Sequence, residues 1–208
     1  MLDKVQSSVT DIVDNLKSIE ERREKLIRGT RDIIMLCSKS IQALHNNEIN
    51  DANIKMSQAR NMLEEFRRYA RDDLFKYIAV AEQELVEAYG LRCIIEYSAI
   101  PNVKELGVSG SSYITGLLDC IGEIKRMIYD MLRRGESSEA TRAFELMQEL
   151  YSFIYPLSVY DNLIPGLRRK IDVSRMLIED VRSIITEEAR RNTMIKSIDS
   201  LQRKLSSS

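Results

Sequence analysis

Tryptophan is absent from the sequence, and helix-breaking residues are scarce, with 3 prolines and 8 glycines among 208 residues. This scarcity favours long helices. No apolar run approaches the ~20 residues that a membrane-spanning helix needs. The polar start Met-Leu-Asp-Lys-Val-Gln does not have the pattern of a signal peptide. The sequence therefore predicts a soluble, cytoplasmic protein that does not bind membranes.

Residues suited to covalent catalysis and soft-metal binding are also few. The single histidine, His45, closes a predicted helix, where a histidine is more often a cap than a catalyst. Three cysteines, Cys37, Cys93 and Cys120, are odd in number and lack metal-type spacing, which predicts free thiols in a reducing interior. No Gly-x-Ser-x-Gly elbow or phosphate-binding glycine-rich loop is present. These absences argue against covalent catalysis.

Neither sign of charge is in excess, since 31 basic and 32 acidic residues give a net charge of −1. With no overall basic field, nucleic-acid binding has to use a local patch. The best candidate follows the predicted helix 48–71, where basic residues alternate with Tyr69 and Tyr77, on which bases can stack. The alternative is a solvated face whose basic groups pair with Glu64, Glu65, Asp72 and Asp73. The candidate nucleic-acid-binding residues are Arg60, Arg67, Arg68, Arg71 and Lys76.

Apolar residues recur at helical spacing through most of the chain. The predicted fold class is all-α, an antiparallel bundle of about six to seven helices with a long N-terminal helix. Residues 1–208 are expected to form a single domain. The final residues, 190–208, are expected to form a short extra helix that frays at Ser206–Ser208. The main helices are predicted over 2–45, 48–71, 73–98, 113–134, 137–155 and from 166 to at least 186.

Two segments leave alternatives open. The helix over 2–45 is longer than a single small domain can cover, so part of it is expected to meet another subunit. The alternative is a free coiled-coil arm. The apolar bend from Pro156 to Pro165 is either a packed corner or an exposed interface patch.

Two pairs of acidic residues stand out in consecutive long helices. Glu84 and Glu87 share a sector with apolar residues in a helix that is apolar nearly all round. Buried carboxylates are costly unless they are paired, protonated or bound to metal. Asp119 and Glu123 lie one turn apart on one face of the next long helix. The alternatives are an ion pair with an arginine for the first pair and a solvated polar face for the second.

The chemistry of these four carboxylates, with no supporting histidine or cysteine, suits a hard cation such as Mg²⁺ or Mn²⁺. The loop 99–112 allows the two helices to lie side by side, so that all four acids can converge. A metal centre of this kind can lower the pKa of a bound water and clamp the oxygens of a phosphoryl group. Phosphodiester cleavage is therefore the predicted reaction. Gly116 and Gly122 flank the acids, either as neutral filler or as points of close approach.

Four stretches, in this order along the chain, carry a resemblance to a known family. They are Arg23–Asp32 through Ser38–His45; Glu84-Leu-Val-Glu87-Ala; Tyr113-Ile-Thr-Gly-Leu-Leu-Asp119-Cys-Ile-Gly-Glu123-Ile; and Leu167-Arg-Arg-Lys-Ile-Asp172 with Arg175. Together they resemble the translin family, and its Trax-like branch in particular. The similarity extends over about residues 20–185.

The resemblance implies an all-helical protein that assembles with a translin-like partner, or with itself, into a hollow barrel and cuts single-stranded RNA inside. A barrel-shaped homo-octamer is the implied assembly. Carried over by motif, the catalytic and metal-binding residues are Glu84, Glu87, Asp119 and Glu123. Translin proper binds single-stranded RNA and DNA but lacks the complete acidic set, which favours the Trax-like branch. Its basic segments use histidines and arginines, whereas this sequence offers arginines and lysines.

The sequence supports three functional hypotheses. The favoured one is a Mg²⁺- or Mn²⁺-dependent endoribonuclease that acts on single-stranded RNA inside a homo-oligomer. The second is a non-catalytic protein that binds single-stranded RNA or DNA. The third is a structural helical assembly whose acids form ion pairs.

Overall fold

The computed structural model describes residues 2–206, apart from the side chains of Asp72 and Asp73. Over this range the chain forms seven α-helices and two 3₁₀ segments and contains no strand. The predicted all-α class, helix number and long N-terminal helix are confirmed. The 3₁₀ segments are Asp72–Tyr77 and Tyr155–Tyr160. The α-helices are α1 (Asp3–His45), α2 (Ile49–Arg67), α3 (Ala79–Ile95), α4 (Val103–Leu106), α5 (Gly110–Arg133), α6 (Ser137–Ile154) and α7 (Leu167–Ser206).

The chain divides into two compact units, one ending at Leu117 and the other beginning at Leu118, so the boundary falls inside α5. In the N-terminal unit, the second half of α1 packs against α2 and α3. In the C-terminal unit, α6 packs against α7, and the apolar side of α5 is buried there from Ile121 to Ile128. A single domain over 1–208 stays a prediction.

A glycine on α1 allows the close packing of α1 against α2. A Cβ atom at Gly29 would lie 2.0 Å from Cζ of Phe66, so the phenyl ring occupies the space that any other side chain would need. The helix still continues through Gly29, because one glycine costs only about 1 kcal/mol relative to alanine. Residues 2–18, by contrast, are exposed on every side of the helix.

The region between α2 and α5 contains more structure than the sequence analysis predicts. α2 ends at Arg67 rather than at residue 71, and the predicted loop 99–112 contains α4. Asn102 and Glu105 form a reciprocal capping box at the start of α4. The cap of α5 is Ser109, whose Oγ accepts a hydrogen bond from the Ser112 backbone N–H at 3.1 Å.

The C-terminal helix α7 runs without a break from Leu167 to Ser206, whereas the sequence analysis predicts a separate short helix over 190–208. No glycine or proline lies within this stretch, so no residue interrupts the helix. The predicted fraying concerns Ser206–Ser208, and Ser207 and Ser208 lie outside the described residues.

The bend between α6 and α7 leaves several large apolar side chains exposed, including Val159 and Leu163. This favours the interpretation as an exposed patch over that as a packed corner. None of the helices within residues 2–206 combines the length and apolarity that a membrane span requires.

Candidate functional site

The first carboxylate pair, Glu84 and Glu87, lies on a half-buried face of α3 that is directed towards α1. Both carboxylates act electrostatically on Cys37 of α1. Burial of the thiol, followed by the charges of Glu84 and Glu87, raises the pKa of Cys37 to about 12. Cys37 is therefore a protonated thiol at neutral pH and not a thiolate nucleophile or ligand. None of the three cysteines forms a disulfide, and all are buried.

The fully buried acid of α3 is Glu82, which the sequence analysis does not select. Its carboxylate accepts hydrogen bonds from Nη2 of Arg67 at 3.1 Å and from the backbone N–H of Ser109 at 2.9 Å. Only 1% of the Glu82 side chain is exposed, so the pair with Arg67 is a structural ion pair. Glu84 and Glu87 are half-buried, because the sector that they share with Val80 and Leu91 is buried at Leu91 and half exposed at Val80.

The start of α5 lies very close to α3 at the turn that carries the first acidic pair. A Cβ atom at Gly116 would lie 2.5 Å from the carbonyl oxygen of Gln83 and 2.8 Å from Cβ of Val86. Gly116 is therefore a point of close helix approach and not neutral filler. A Cβ atom at Gly122 would meet no atom of the described chain within 4 Å.

The second carboxylate pair is on the part of α5 that belongs to the C-terminal unit. Asp119 accepts hydrogen bonds from Nζ of Lys170 on α7 through both carboxylate oxygens. Both side chains remain about one-third exposed. Glu123 lies 3.8 Å from Nη1 of Arg126, one turn further along α5, which is a loose contact. No sequence pattern indicates the Asp119–Lys170 pair, because the two residues are 51 positions apart.

A cavity of about 350 Å³ opens beside Asp119 and Lys170. Gly122 and Arg169 also line the cavity. It therefore has one acidic and two basic side chains, and free space beside Gly122, which has no side chain. Ser174 also lines the cavity, and its Oγ donates to the backbone oxygen of Lys170, one turn earlier on α7, at 2.9 Å. The cavity can admit a small charged group within contact of Asp119.

Two of the predicted nucleic-acid contacts have structural partners. Arg67 is bound to Glu82, and its Nη1 lies only 2.8 Å from the position that a Cβ atom would take at Gly107. Arg60 donates from Nη2 to the backbone oxygen of Glu105 at 2.6 Å. Arg67 thus ties α2 to α3, and Arg60 ties α2 to the connection between α3 and α5.

The remaining predicted contacts, Arg68, Arg71 and Lys76, are exposed. Lys76 lies 5.4 Å from the ring centroid of Tyr77. The structure adds two cations of α1 to this surface. Arg23 donates to the Tyr77 hydroxyl at 3.0 Å, and Lys25 lies 4.9 Å from the ring centroid of Tyr69. The basic surface therefore comprises the partly buried Arg23 and the exposed cations Lys25, Arg68, Arg71 and Lys76. The side chains of Asp72 and Asp73, the alternative partners, lie outside the described part of the chain.

The two acidic pairs have the donor chemistry of a hard-cation site. Mg²⁺ is typically held by one or two carboxylates and keeps several waters, and each pair supplies two carboxylates on one helix face. Within the described residues of either unit, no three His, Cys, Asp or Glu side chains gather closely enough to enclose an ion. An ion at Asp119 has to compete with the Lys170 ammonium for the same two oxygens.

The helix order and the acidic pairs define an all-α protein with carboxylates on consecutive long helices. The chain belongs to the Translin family, whose model matches residues 21–185. An uncharacterized protein of Methanocaldococcus jannaschii is 29% identical over 171 residues, 81% of this chain and 77% of that protein.

Solved structures show the same fold. The crystal structure of AfC3PO is 27% identical with a TM-score of 0.81, over 86% of this chain and 96% of AfC3PO. The complex of AfC3PO with duplex RNA gives the same identity and TM-score, over 89% and 99% of the two chains. Apo-NeC3PO, 22% identical with a TM-score of 0.76 over 86% and 95%, is similar in fold. The predicted translin-like fold is confirmed.

Proposed function

We propose that this protein is a metal-dependent endoribonuclease of the Trax-like branch. It cuts single-stranded RNA in the cytoplasm, inside a hollow homo-oligomeric barrel that the family resemblance makes an octamer. The observation that carries this proposal is the complete set of two carboxylate pairs, Glu84 with Glu87 and Asp119 with Glu123, on consecutive long helices of a Translin-family chain. The complex of AfC3PO with duplex RNA supports RNA as the ligand class.

The donor chemistry of the two pairs supports a common role for them. Both pairs lie within the segment that the Translin family model matches, residues 21–185. Four carboxylates repel one another unless a cation neutralises them, and Mg²⁺ or Mn²⁺ matches an all-oxygen donor set. We therefore assign one divalent-ion centre to both pairs.

In the proposed reaction the four acids hold the divalent cation, and the basic surface holds the RNA backbone. A bound Mg²⁺ or Mn²⁺ supplies a water of lowered pKa and neutralises charge on the phosphodiester oxygens. Asp119 and Glu123 would hold the ion from one face of α5, and Lys170 binds and orients the carboxylate of Asp119. Arg68, Arg71 and Lys76 neutralise phosphates along the strand.

One observation favours the alternative of a non-catalytic protein that binds single-stranded RNA or DNA. Lys170 donates to both carboxylate oxygens of Asp119, as is expected for an ion pair that stabilises a helical scaffold. The two functions differ in whether a product appears when a divalent ion is added.

The direct test incubates the purified protein with end-labelled single-stranded RNA, with Mn²⁺, with Mg²⁺ and with EDTA. We expect internal cleavage with either ion and none with EDTA, because the divalent ion would supply the activated water. A duplex of the same sequence, run in parallel, tests the preference for single strands.

Binding of the labelled RNA without any product at any ion concentration would instead establish the non-catalytic alternative. Absence of both binding and cleavage at ordinary salt would leave only a structural assembly.

RNA affinity should depend on the exposed basic residues and not on Arg67. In the triple variant Arg68→Ala, Arg71→Ala and Lys76→Ala, the dissociation constant for single-stranded RNA is expected to rise ~tenfold or more. The salt dependence of RNA binding should also weaken, because about one fewer counterion is released for each phosphate contact that is lost. Fluorescence anisotropy at several salt concentrations measures both quantities.

The matched control replaces Arg133, Arg134 and Arg142 by alanine, which removes the same charge from exposed positions of the C-terminal unit. An equal loss of affinity in the control would show that only net charge matters. The basic surface would then no longer be assigned to RNA binding.

A further inference from the structure

The cavity of about 350 Å³ beside Asp119 lies wholly within the C-terminal unit. The middle of α5 forms one of its walls, and the first turns of α7 form another. Small-molecule sites usually measure ~300–1,000 Å³, so this volume suits one small ligand and not a longer segment of chain. In the proposed reaction Asp119 has a role, but the cavity next to it has none.

Gly122 keeps the α5 wall of this cavity open. Close helix contacts account for Gly29 and Gly116, but a Cβ atom at Gly122 would meet no other part of the described chain within 4 Å. A glycine inside a helix also weakens the helix relative to alanine. The packing of the helices therefore does not require Gly122, and its missing side chain leaves free space beside Asp119.

Two cations of α7 line the cavity, and both have donors to spare. The Arg169 side chain forms no ion pair or hydrogen bond with any other described residue. The Lys170 ammonium has three N–H donors, whereas the carboxylate of Asp119 offers it two oxygens. An anion in the cavity would therefore meet the Arg169 guanidinium and the third donor of Lys170.

The charge of the cavity matches that of a phosphodiester. Asp119 contributes −1, and Arg169 and Lys170 contribute +1 each, so the described charged residues of the lining sum to +1. Each phosphodiester of a nucleic acid carries one negative charge. Asp119 alone would repel such an anion, but its contact with Lys170 offsets the repulsion.

Apolar side chains complete the lining of the cavity. Val173 and Leu177 lie one turn apart on α7, and Val173 is 42% exposed. A simple inorganic anion would leave this apolar surface in contact with water, whereas a ligand with a flat apolar face would cover it. The lining as a whole therefore fits an anion that is attached to a planar, largely apolar group.

A nucleotide combines these two parts in one small unit. We propose that the cavity binds one nucleotide of an RNA strand. The phosphodiester of this nucleotide contacts Arg169 and Lys170, and its base packs against Val173 and Leu177. Because Lys170 also binds Asp119, the phosphate lies next to the second carboxylate pair. The choice of RNA rests on the proposed function, whereas binding of the nucleotide requires no cleavage.

The first test uses adenosine 5′-(methyl phosphate), which is one nucleotide with a phosphodiester, and its two halves, adenosine and dimethyl phosphate. Titrations in EDTA are followed by the methyl NMR shifts of Val173 and Leu177. We expect the whole probe to bind at least ~tenfold more tightly than either half, because linking the halves makes the second contact intramolecular. Equal affinity for dimethyl phosphate, or no shift at these methyl groups, would overturn the proposal.

The second test removes the unpaired cation. In Arg169→Gln the dissociation constant of the whole probe should rise at least ~tenfold, because hydrogen bonds to a charged group are lost. The matched control is Arg168→Gln, which removes the same charge from the preceding exposed residue, outside the cavity lining. An equal loss of affinity in the control would show that only net charge matters and would overturn the proposal.

The third test fills the cavity without changing any charge. Gly122→Leu should lower the affinity for the whole probe at least ~tenfold. Its melting temperature should equal or exceed that of the wild type, because leucine favours the helix more than glycine does. Gly110→Leu, the same change at the exposed start of α5, should bind the probe normally. Normal binding by a folded Gly122→Leu variant would contradict the proposal.

Cleavage of single-stranded RNA separates this inference from the proposed function. If the wild type cleaves RNA and Arg169→Gln and Gly122→Leu cleave it at the same rate, the nucleotide site is overturned and the nuclease stands. If the probe binds in the cavity but no divalent ion produces cleavage, the nuclease is contradicted. The nucleotide site would then belong to a non-catalytic protein that binds RNA.

Discussion

Replacing Glu123 by glutamine is expected to abolish RNA cleavage and to leave RNA binding intact, and Glu84→Gln should do the same. Glutamine keeps the size of the side chain but removes the charge that holds a divalent cation. The expected loss in cleavage rate is at least ~100-fold, because metal catalysis contributes several kcal/mol and each 1.36 kcal/mol is tenfold in rate. Single-turnover cleavage of labelled RNA in Mn²⁺ measures the loss, and anisotropy in EDTA measures binding.

The matched control for these variants is Glu96→Gln. Glu96 is exposed at the end of α3 and pairs with Arg92 at 3.1 Å, so its substitution removes one charge from the same helix. It should cleave RNA like the wild type. Wild-type rates in Glu84→Gln and Glu123→Gln would remove both acids from the site and leave them as parts of a helical scaffold.

Arg67→Met is expected to destabilise the protein by about 3 kcal/mol. The change leaves the buried carboxylate of Glu82 without its ion-pair partner, and breaking a buried pair from one side typically costs about 3–5 kcal/mol. The lower value applies because Arg67 is partly exposed and the Ser109 N–H still donates to Glu82. The melting temperature should fall by about 6–12 °C, as measured by circular dichroism.

The double variant Arg67→Met with Glu82→Leu provides the control. Removing both charges should restore most of the lost stability, since a hydrophobic pair of similar size can replace a buried ion pair. RNA affinity of this stable double variant should equal that of the wild type, because Arg67 is assigned to the fold. A large loss of RNA affinity with normal stability would return Arg67 to the nucleic-acid contacts.

The fold could be predicted from the sequence because its signals are local. A rhythm of apolar residues with few helix breakers predicts α1, α5 and α6 to within three residues at each end. The differences arise where a local signal was present but weak. The Asn102–Glu105 capping box predicts a helix start within an assigned loop. The sequence of α7 contains no breaker at the point where a new helix was expected to begin.

The candidate site could be predicted only in part, because burial within a helix depends on its neighbours. Glu82 follows Ile78 by four residues and precedes Leu85 by three, so it lies on the buried row of α3. The sequence analysis selected Glu84 and Glu87 from a sector whose member Val80 is half exposed. The periodicity of apolar residues shows which residues share a face of a helix. It does not show which face packs against another helix.

Sequence patterns could not predict the contacts between distant parts of the chain. Lys170 binds Asp119 across 51 residues, and Arg60 binds the backbone at Glu105 across 45. Each of these cations lies among several candidate partners in sequence, and only the packing of the helices selects one. For this reason the sequence analysis assigned Arg60 and Arg67 to RNA binding and did not identify Lys170 as the partner of Asp119.

The central claim is that the two acidic pairs serve one divalent ion, and titration of Mn²⁺ followed by electron paramagnetic resonance tests it most directly. The free Mn²⁺ signal gives the affinity and the number of sites for the wild type, Glu84→Gln and Glu123→Gln. The account predicts one class of site whose affinity falls in both variants, although the substitutions are on different helices. Unchanged Mn²⁺ binding in either variant, or no binding to the wild type, would contradict it.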